Sequence, residues 1–204
     1  MTFDEFVSRF STEEQCRDYL YGLRWPDGFL CPKCGARKRW ELGATLYECA
    51  KCGRQTSVIA GTVFQDTRRP LKTWFVAIWW ITTRKYGASA EGLRQVLGLK
   101  SYETSWTWLH KIRHAMARPG RSKLQGKTEV DEAYIGGREK GGKQEAVSKK
   151  HLQSYLDEYV FRFNRRKSAK RGVLFYRLLE CAMNVEPITL DQLIREPSAG
   201  QRKT

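Results

Sequence analysis

Two Cys-x2-Cys pairs near the N-terminus constrain the fold of this chain more than any other feature. They are Cys31-Pro-Lys-Cys34 and Cys49-Ala-Lys-Cys52, separated by 14 residues, and a glycine follows each pair at once. Four soft thiolates from two tight turns form the donor set of a tetrahedral zinc ion, and four protein ligands leave no position for a substrate. The pattern therefore predicts a structural zinc ribbon over residues 25–66.

Two other interpretations of the four cysteines are a pair of disulfides and a redox Cys-x-x-Cys motif. Disulfides belong mainly to oxidising compartments, and the N-terminus MTFDEFVSRF lacks the basic start and apolar run of a secretion signal. A thioredoxin-like motif would lie in a βαβ context, which the surrounding sequence does not suggest. We therefore favour zinc.

The charge balance indicates the class of partner. The 204-residue chain has 37 Lys and Arg against 22 Asp and Glu, a formal net charge of +15. Its 41% hydrophobic and 12% aromatic content is too high for a disordered polycation. Its longest apolar run, over 74–81, is well short of the roughly 18 residues of a membrane span. We expect a folded, soluble, cytoplasmic and nucleoid-associated protein with no membrane contact and with nucleic acid as its partner.

Hydrophobic periodicity predicts an α+β chain. Two short helices are expected in residues 1–24, and Ser11-Thr-Glu-Glu14 reads as a capping box for the second of them. Short β-prone pieces follow at 46–48 and 56–59. The other predicted elements are a Trp-rich helix over 72–84, a helical region over 89–116 that breaks at Gly98, a strand over 128–135, and a helical region over 151–183 that is split near 164–172.

A short helix, a glycine turn and a second helix in residues 89–116 are typical of a helix-turn-helix unit. The second helix of such a unit lies in the major groove with its first residues on base edges. Residues 84–123 also carry nine Lys and Arg against two Glu. The alternative is an ordinary helical hairpin. The candidate DNA-binding residues here are Lys100, Tyr102, Thr104, Ser105, Thr107, Lys111 and Arg113.

An acidic motif, TEVDEAYIGG at 128–137, lies on the predicted strand. Together with CPKCG, CAKCGRQTSVIAGTVFQDTRRPLKTWF, TSWTWLHKIRHAM and YLDEYVFRFNRR, in their order along the chain, it resembles small bacterial insertion-sequence transposases. More specifically, the set is similar to those with an N-terminal zinc ribbon and an ISXO-type DDE catalytic domain. The resemblance covers nearly all of residues 1–195.

The resemblance implies an RNase-H-like catalytic domain in which three residues hold two Mg²⁺ ions. These ions activate water or a 3′-hydroxyl for in-line attack on a phosphodiester. Asp131 matches the first metal-binding position, and Glu158 or Asn164 the third. Arg165 and Arg166 are further candidates for DNA contact. The implied partner is the double-stranded DNA of the element's terminal repeats, and a homo-oligomer is left open.

One departure from this family concerns the catalytic domain itself. Only residues 132–150 separate Asp131 from the predicted helix at 151, and the chain lacks a Thr-Asp-Gly, the usual context of the second catalytic Asp. A lone strand cannot pair its backbone groups into a stable sheet. We interpret residues 127–195 as a truncated RNase-H-like remnant, one strand plus C-terminal helices, with a deletion junction within 143–148. Its elements are expected to pack loosely and its strand transfer to be lost.

Three functions are compatible with these features. The first is a DDE transposase whose missing part is made good by a partner subunit. The second is a catalytically inactive DNA-binding remnant that represses or competes with intact copies. The third is a zinc-ribbon transcription regulator, which would need neither EVDEAYIGG nor YLDEYVFRFNRR. The predicted domains are an N-terminal helical segment (1–24), the zinc ribbon (25–66), the helix-turn-helix region (67–118) and the transposase remnant (127–195).

Overall fold

The computed structural model describes residues 2–43, 45–84, 87–117, 149–163 and 172–194. Over these ranges the chain is a mixed α+β protein with one three-stranded antiparallel sheet. Its helices are α1 (Phe3–Arg9), α2 (Glu13–Arg24), α3 (Leu71–Thr83), α4 (Ala90–Leu97), α5 (Tyr102–Met116), α6 (Lys149–Phe163), α7 (Gly172–Asn184) and α8 (Leu190–Ile194), and its strands are β1 (Arg39–Glu41), β2 (Leu46–Cys49) and β3 (Gln55–Ser57). The strand predicted at 128–135 lies outside the described residues.

Helix α2 begins one residue later than the sequence predicted. Its N-cap is Thr12, whose hydroxyl accepts from the Gln15 N–H while the Gln15 side chain accepts from the Thr12 N–H. Ser11 stays outside the helix and donates its hydroxyl to Gln15 Oε1 at 2.9 Å. Adjacent Ser and Thr satisfy the capping pattern in two registers, and the reciprocal bond to Gln15 selects the second.

An aromatic cluster packs the N-terminal helix α1 and helix α7 into one core. Phe175 of α7 lies 5.5 Å, centroid to centroid, from both Phe6 of α1 and Phe10. The Val63 N–H also donates to the Ala182 carbonyl at 3.1 Å. The expectation of loose packing is therefore wrong for α7. The apolar face of α7 packs on the N-terminal core. This core provides the hydrophobic surface that α7 needs, so α7 does not depend on a sheet of the catalytic domain.

A tryptophan pair connects α3 to α5. The rings of Trp74 and Trp108 stack with centroids 3.8 Å apart and planes within 12° of each other. Trp74 is 1% exposed and lies in the core. Its indole N–H donates to the Thr67 hydroxyl at 2.8 Å, so the one polar atom of the ring is satisfied.

A buried ion-pair network fixes α6 against α5 and the connection between α3 and α4. Arg113 Nε donates to Glu158 Oε2 at 2.8 Å, and the two side chains are 1% and 4% exposed. Arg162 donates to Glu158 Oε1 at 2.8 Å, and the Ala88 N–H donates to the same oxygen at 3.0 Å. Arg113 also donates to the Ala88 carbonyl at 2.8 Å. Both carboxylate oxygens are therefore held by donors from three parts of the fold.

A second face of α6, beside the one that carries Glu158, is apolar and exposed. Leu152, Leu156, Tyr159 and Phe163 follow one another at four-, three- and four-residue steps and are between 38% and 58% exposed. This spacing places them along one helix face. Helix α6 is thus anchored through its Glu158 face and presents a second, apolar face to solvent.

A buried histidine also lies between α5 and α6. His110 is 1% exposed, and its ring centroid is 4.2 Å from that of Trp106 and 5.0 Å from that of His151. Within the described part of the chain, neither ring nitrogen of His110 has a hydrogen-bond partner. Burial, with smaller contributions from Arg113 and His151, lowers the pKa of His110 to about 3. The folded protein therefore holds this imidazole neutral.

Removing the carboxylate at Glu158 should destabilise the fold strongly. Glu158→Ala leaves Arg113 buried without its counter-charge, and we expect a loss of about 3–5 kcal/mol in the free energy of unfolding. Glu180→Ala is the matched control, because it removes a more exposed pair with Arg177 and should cost less than about 1 kcal/mol. Chemical denaturation of the two variants measures both losses, and equal losses would contradict the structural role of Glu158.

Stability should also fall in mild acid because of His110. The unfolded histidine titrates near pH 6.5, so the unfolded state takes up a proton first as the pH decreases. The contribution of neutral His110 is complete above about pH 6.5 and is lost progressively towards pH 3. Between about pH 8 and pH 5.5 the loss through this residue is about 1.4 kcal/mol.

His110→Phe, which keeps an aromatic ring but cannot titrate, isolates that effect. The free energy of unfolding of the variant should depend less steeply on pH than that of the wild type over the same interval. Superimposable pH profiles for the two proteins would show that His110 is protonated in the folded state as readily as in the unfolded chain.

Candidate metal centre and nucleic-acid interface

The sheet brings the two cysteine pairs to one end of the ribbon. Strands pair in the order β1-β2-β3, and Arg39 at the start of β1 lies opposite Cys49 at the end of β2. The Ala50 N–H extends this ladder by donating to the Lys38 carbonyl at 3.0 Å. The antiparallel register therefore places the turn after β2 beside the chain that leads into β1.

The two knuckles share one backbone geometry. The Gly35 N–H donates to the Cys31 carbonyl at 3.0 Å, and the Gly53 N–H donates to the Cys49 carbonyl at 2.9 Å. Both glycines lie in the left-handed region, with φ of 68° and 65°. A side chain at either position would be strained, which explains why each cysteine pair is followed by glycine.

The four cysteine sulfurs converge on one point. The Sγ atoms of Cys31, Cys34, Cys49 and Cys52 all lie within 4.8 Å of one another. Cys31 and Cys52 are 3.6 Å apart, and Cys34 and Cys49 are 3.5 Å apart. Zinc–sulfur bonds of about 2.3 Å in a tetrahedron give sulfur separations of about 3.8 Å. The donor set and its spacing fit a structural zinc ion.

The thiols differ in how readily they ionise. Burial acts to raise the pKa of Cys31, but the N–H groups of Cys34 and Lys33 and the neighbouring thiols outweigh burial and lower it to about 6. The Ala36 N–H acts to lower the pKa of Cys34, but burial and three neighbouring thiols raise it to about 12. Four adjacent thiolates repel one another, so a dication is what allows all four to be deprotonated together.

The ribbon is docked on α2. Arg39 Nη1 donates to the Tyr21 hydroxyl at 2.6 Å, and its guanidinium lies over the Tyr21 and Tyr47 rings at 4.6 and 4.8 Å. Arg24 of α2 donates to the Val58 carbonyl at 2.8 Å. These contacts connect both edges of the sheet, at β1 and just after β3, to α2. The zinc ribbon is therefore packed directly on the helical core.

Helices α4 and α5 form a compact pair. Ser89 begins α4 by accepting from the Gly92 N–H, and Gly98 ends it in the left-handed conformation, with φ of 60°. The Leu99 N–H donates to the Arg94 carbonyl at 2.9 Å, which closes the end of the helix. Helix α5 begins four residues after Gly98, at Tyr102. The two helices and the intervening turn match the elements predicted from the sequence.

The residues predicted to contact DNA occupy different environments. Lys100 and Tyr102 are exposed, and Tyr102 keeps 55% of its surface in solvent. Thr104, Thr107 and Lys111 are half-buried. The Thr107 hydroxyl donates to the Glu103 carbonyl at 2.8 Å. Among the predicted DNA contacts, the most accessible ones therefore lie at the end of the α4–α5 connection and at the start of α5.

Two of the predicted DNA contacts are placed away from solvent, contrary to the prediction. Ser105 is 0% exposed and donates its hydroxyl to the Tyr102 carbonyl at 2.7 Å. Arg113 is 1% exposed and is bound to Glu158. Both lie on the face of α5 that packs into the core, which is why neither side chain reaches a groove or a phosphate in this arrangement.

The proposed catalytic residues are not brought together within the described chain. Asp131 and Asn164 lie outside the described residues, as do Arg165 and Arg166. Glu158 is described, but it is 3% exposed and both of its oxygens are bonded to Arg113, Arg162 and Ala88. Contrary to the prediction, this carboxylate is not available to bind Mg²⁺. The pairing of Glu158 with Arg113 could not be predicted from local sequence patterns, because the two residues are 45 positions apart.

Replacing one zinc ligand should remove the metal and unfold the ribbon. We expect Cys49→Ser to lose stoichiometric zinc, because coordination supplies much of the folding free energy of so small a sheet. Cys181→Ser is the control, since Cys181 is a partly buried free thiol on α7, and it should keep the metal. Atomic absorption and near-ultraviolet circular dichroism measure these outcomes. A full equivalent of zinc in Cys49→Ser would refute the assignment.

Residues 11–55 match the family described as Transposase zinc-ribbon domain, of the IS1595 type. The chain is also 28% identical over 147 residues to a protein of Halobacterium salinarum (strain ATCC 700922 / JCM 11081 / NRC-1) described as "Uncharacterized protein in transposable element ISH50". This alignment covers 70% of the chain and 49% of the relative, so the chain spans about half the length of the curated relative that it matches. No solved structure matches.

The described residues include no helix with the length and hydropathy of a membrane span. The ribbon match includes all four cysteines whose sulfurs converge in the structure, namely Cys31, Cys34, Cys49 and Cys52. The chain thus contains a ribbon that matches the transposase zinc-ribbon family, with four cysteines that fit structural zinc, and it is similar to part of a protein from a transposable element.

Proposed function

We propose that this chain acts as the DNA-binding part of an insertion-sequence transposase and binds duplex DNA at the element's terminal repeats. The observation that carries the proposal is a transposase-type ribbon built into the same core as the α4–α5 pair. A ribbon that shares a core with a helix pair has a fixed geometry relative to it. Two DNA-contacting elements held in this way can engage one duplex without an ordering step.

The charge distribution supports a polyanionic partner. The chain has a net charge of +15. On the ribbon, cations that are exposed in the structure follow or lie within the two knuckles; they are Lys33, Arg37, Lys38, Lys51 and Arg54. Such cations bind phosphates without reading sequence and fix the protein's position on the duplex.

We assign sequence reading to the start of α5. The first two turns of α5, where a recognition helix meets base edges, carry Tyr102, Thr104 and Thr107. We assign Lys100 and Lys111 to phosphate contacts. Ser105 and Arg113 are left out because the core buries them. Arg165 and Arg166 remain part of the proposal as phosphate contacts near the C-terminal helices.

Strand transfer by this chain alone is not part of the proposed function. The sequence lacks the Thr-Asp-Gly context of a second catalytic Asp, and Glu158 is bonded to two arginines. We propose instead that the chain occupies terminal repeats and competes with intact copies. Asp131 and Asn164 would serve Mg²⁺-dependent chemistry only in a complex in which a partner subunit supplies the missing part of the site.

Binding to duplex DNA should weaken steeply with salt. If about six cations contact phosphates, the affinity falls about a thousandfold between about 50 and 200 mM salt, because each contact releases counterions. Fluorescence anisotropy with labelled terminal-repeat duplexes measures this slope. Lys100→Gln should reduce the slope by about one. Arg177→Gln on α7, which removes an exposed cation outside the proposed interface, should leave it unchanged.

Two outcomes would count against the proposal. Failure of the zinc-loaded protein to bind any duplex at low salt would refute the binding function. Cleavage of the terminal repeat by this chain alone in Mg²⁺ or Mn²⁺, abolished by Asp131→Asn, would refute the claim that strand transfer is lost.

A further inference from the structure

The outer face of the ribbon presents a single aromatic ring to solvent. Trp40, in the middle of β1, is 59% exposed, the largest fraction among the large hydrophobic residues that the structure describes. Leu42, two positions further on, is 49% exposed. Neither residue stands out in the sequence, because the three-residue strand is too short for its alternation to be recognised.

The position of Trp40 follows from the alternation of β1. Its neighbours Arg39 and Glu41 pair with each other at 2.9 Å, and the Arg39 guanidinium lies against Tyr21 and Tyr47. Successive side chains of a strand point to opposite faces of the sheet. Docking of the Arg39 face on α2 therefore turns Trp40 to the outside, on the same face as Lys38 and Leu42.

The surroundings of Trp40 are basic. Three of the five exposed knuckle cations, Lys33, Arg37 and Lys38, precede the ring in the chain, and Lys38 is two positions from it. The other two, Lys51 and Arg54, belong to the second knuckle. Four thiolates leave a formal charge of −2 on a zinc ion, and five cations exceed that charge. Of the nearby acids, Glu41 is paired with Arg39 at 2.9 Å, whereas Glu48, the cross-strand neighbour of Trp40, accepts a hydrogen bond from Gln55 at 3.1 Å and keeps its charge. The five cations outnumber this carboxylate and the zinc site together.

We propose that Trp40 and Leu42 form an apolar wedge that enters the minor groove of duplex DNA and partly unstacks one base step. The knuckle cations would hold the phosphates on either side. This inference rests on the proposed DNA-binding function and assigns the contact mode of the ribbon. Apolar wedges of this kind bend DNA and allow more protein surface to reach it.

Duplex DNA fits this surface better than the other candidate partners. Sites for single-stranded nucleic acid stack successive bases on several aromatic rings, whereas the outer face of β1 offers one ring and one aliphatic side chain. Protein–protein interfaces are depleted in lysine, whereas three of the five cations near this patch are lysines, namely Lys33, Lys38 and Lys51. A lone wedge beside phosphate-binding cations is the arrangement that a deformed minor groove requires.

The test compares Trp40→Ala, Trp40→Phe and wild type on one probe. The probe is a duplex of about 30 base pairs with central TA and CA steps, which unstack easily. Affinity is measured by anisotropy, and bending by energy transfer between dyes on the two ends. We expect Trp40→Ala to weaken binding about tenfold and abolish the bend, while Trp40→Phe, which keeps an apolar ring, retains both.

The salt dependence separates the wedge from the cations. Trp40→Ala should leave the slope of log affinity against log salt unchanged, whereas Lys51→Gln should reduce the slope by about one. Tyr159→Ala is the matched control. Its ring is 58% exposed but lies on α6, outside the ribbon, so its removal should change neither affinity nor bend.

The possible results are distinguishable. If wild type binds and bends the duplex but Trp40→Ala does so equally well, the wedge is refuted and the binding function stands. If wild type prefers the single strand of the probe and Trp40 carries that preference, the duplex assignment is refuted. If wild type binds no duplex at low salt, the proposed function itself fails. Should Trp40→Ala lose zinc, Leu42→Ala, with an expected loss of about threefold, replaces it in every comparison.

Discussion

The convergence of four cysteine sulfurs is the constraint on which the arrangement of this protein depends. A sheet of three short strands buries too little apolar surface to stand alone. Coordination of one ion by both knuckles supplies the missing free energy and fixes the ends of β1, β2 and β3 relative to one another. Because Arg39 and Tyr47 then pack on Tyr21, the metal site also sets where the ribbon lies on α2. The outward direction of Trp40 follows from the same docking.

Local chemistry made part of this structure readable from the sequence. The Cys-x2-Cys-Gly pairs define the knuckles because glycine alone tolerates their left-handed turn without strain. Gly98 marks the end of α4 for the same reason, and the apolar spacing of 102–116 marks α5. These features are specified by residues within a few positions of one another, so a single sequence contains the information needed to predict them.

The remainder depends on contacts between distant segments. The pairing of Arg113 with Glu158 spans 45 positions, and the packing of Phe175 on Phe6 joins the two ends of the chain. Without those contacts, Arg113 is interpreted as a DNA contact, Glu158 as one of two candidates for the third metal-binding position, and α7 as a loosely packed helix of a transposase remnant. Sequence reasoning assigns Arg113 from its charge and Glu158 from the family resemblance, whereas burial, which the sequence does not display, determines the role of both.

The bond from the Ala88 N–H to Glu158 has an implication for how such chains are classified. Ala88 immediately precedes Ser89, the N-cap of α4, while Arg113 lies on α5. One acid from the C-terminal half thus sets the relative placement of α4 and α5. This structural role requires no Mg²⁺ chemistry, because the acid is needed to hold the two helices whether or not the chain cleaves DNA. A glutamate in this helix is therefore not by itself evidence of nuclease activity.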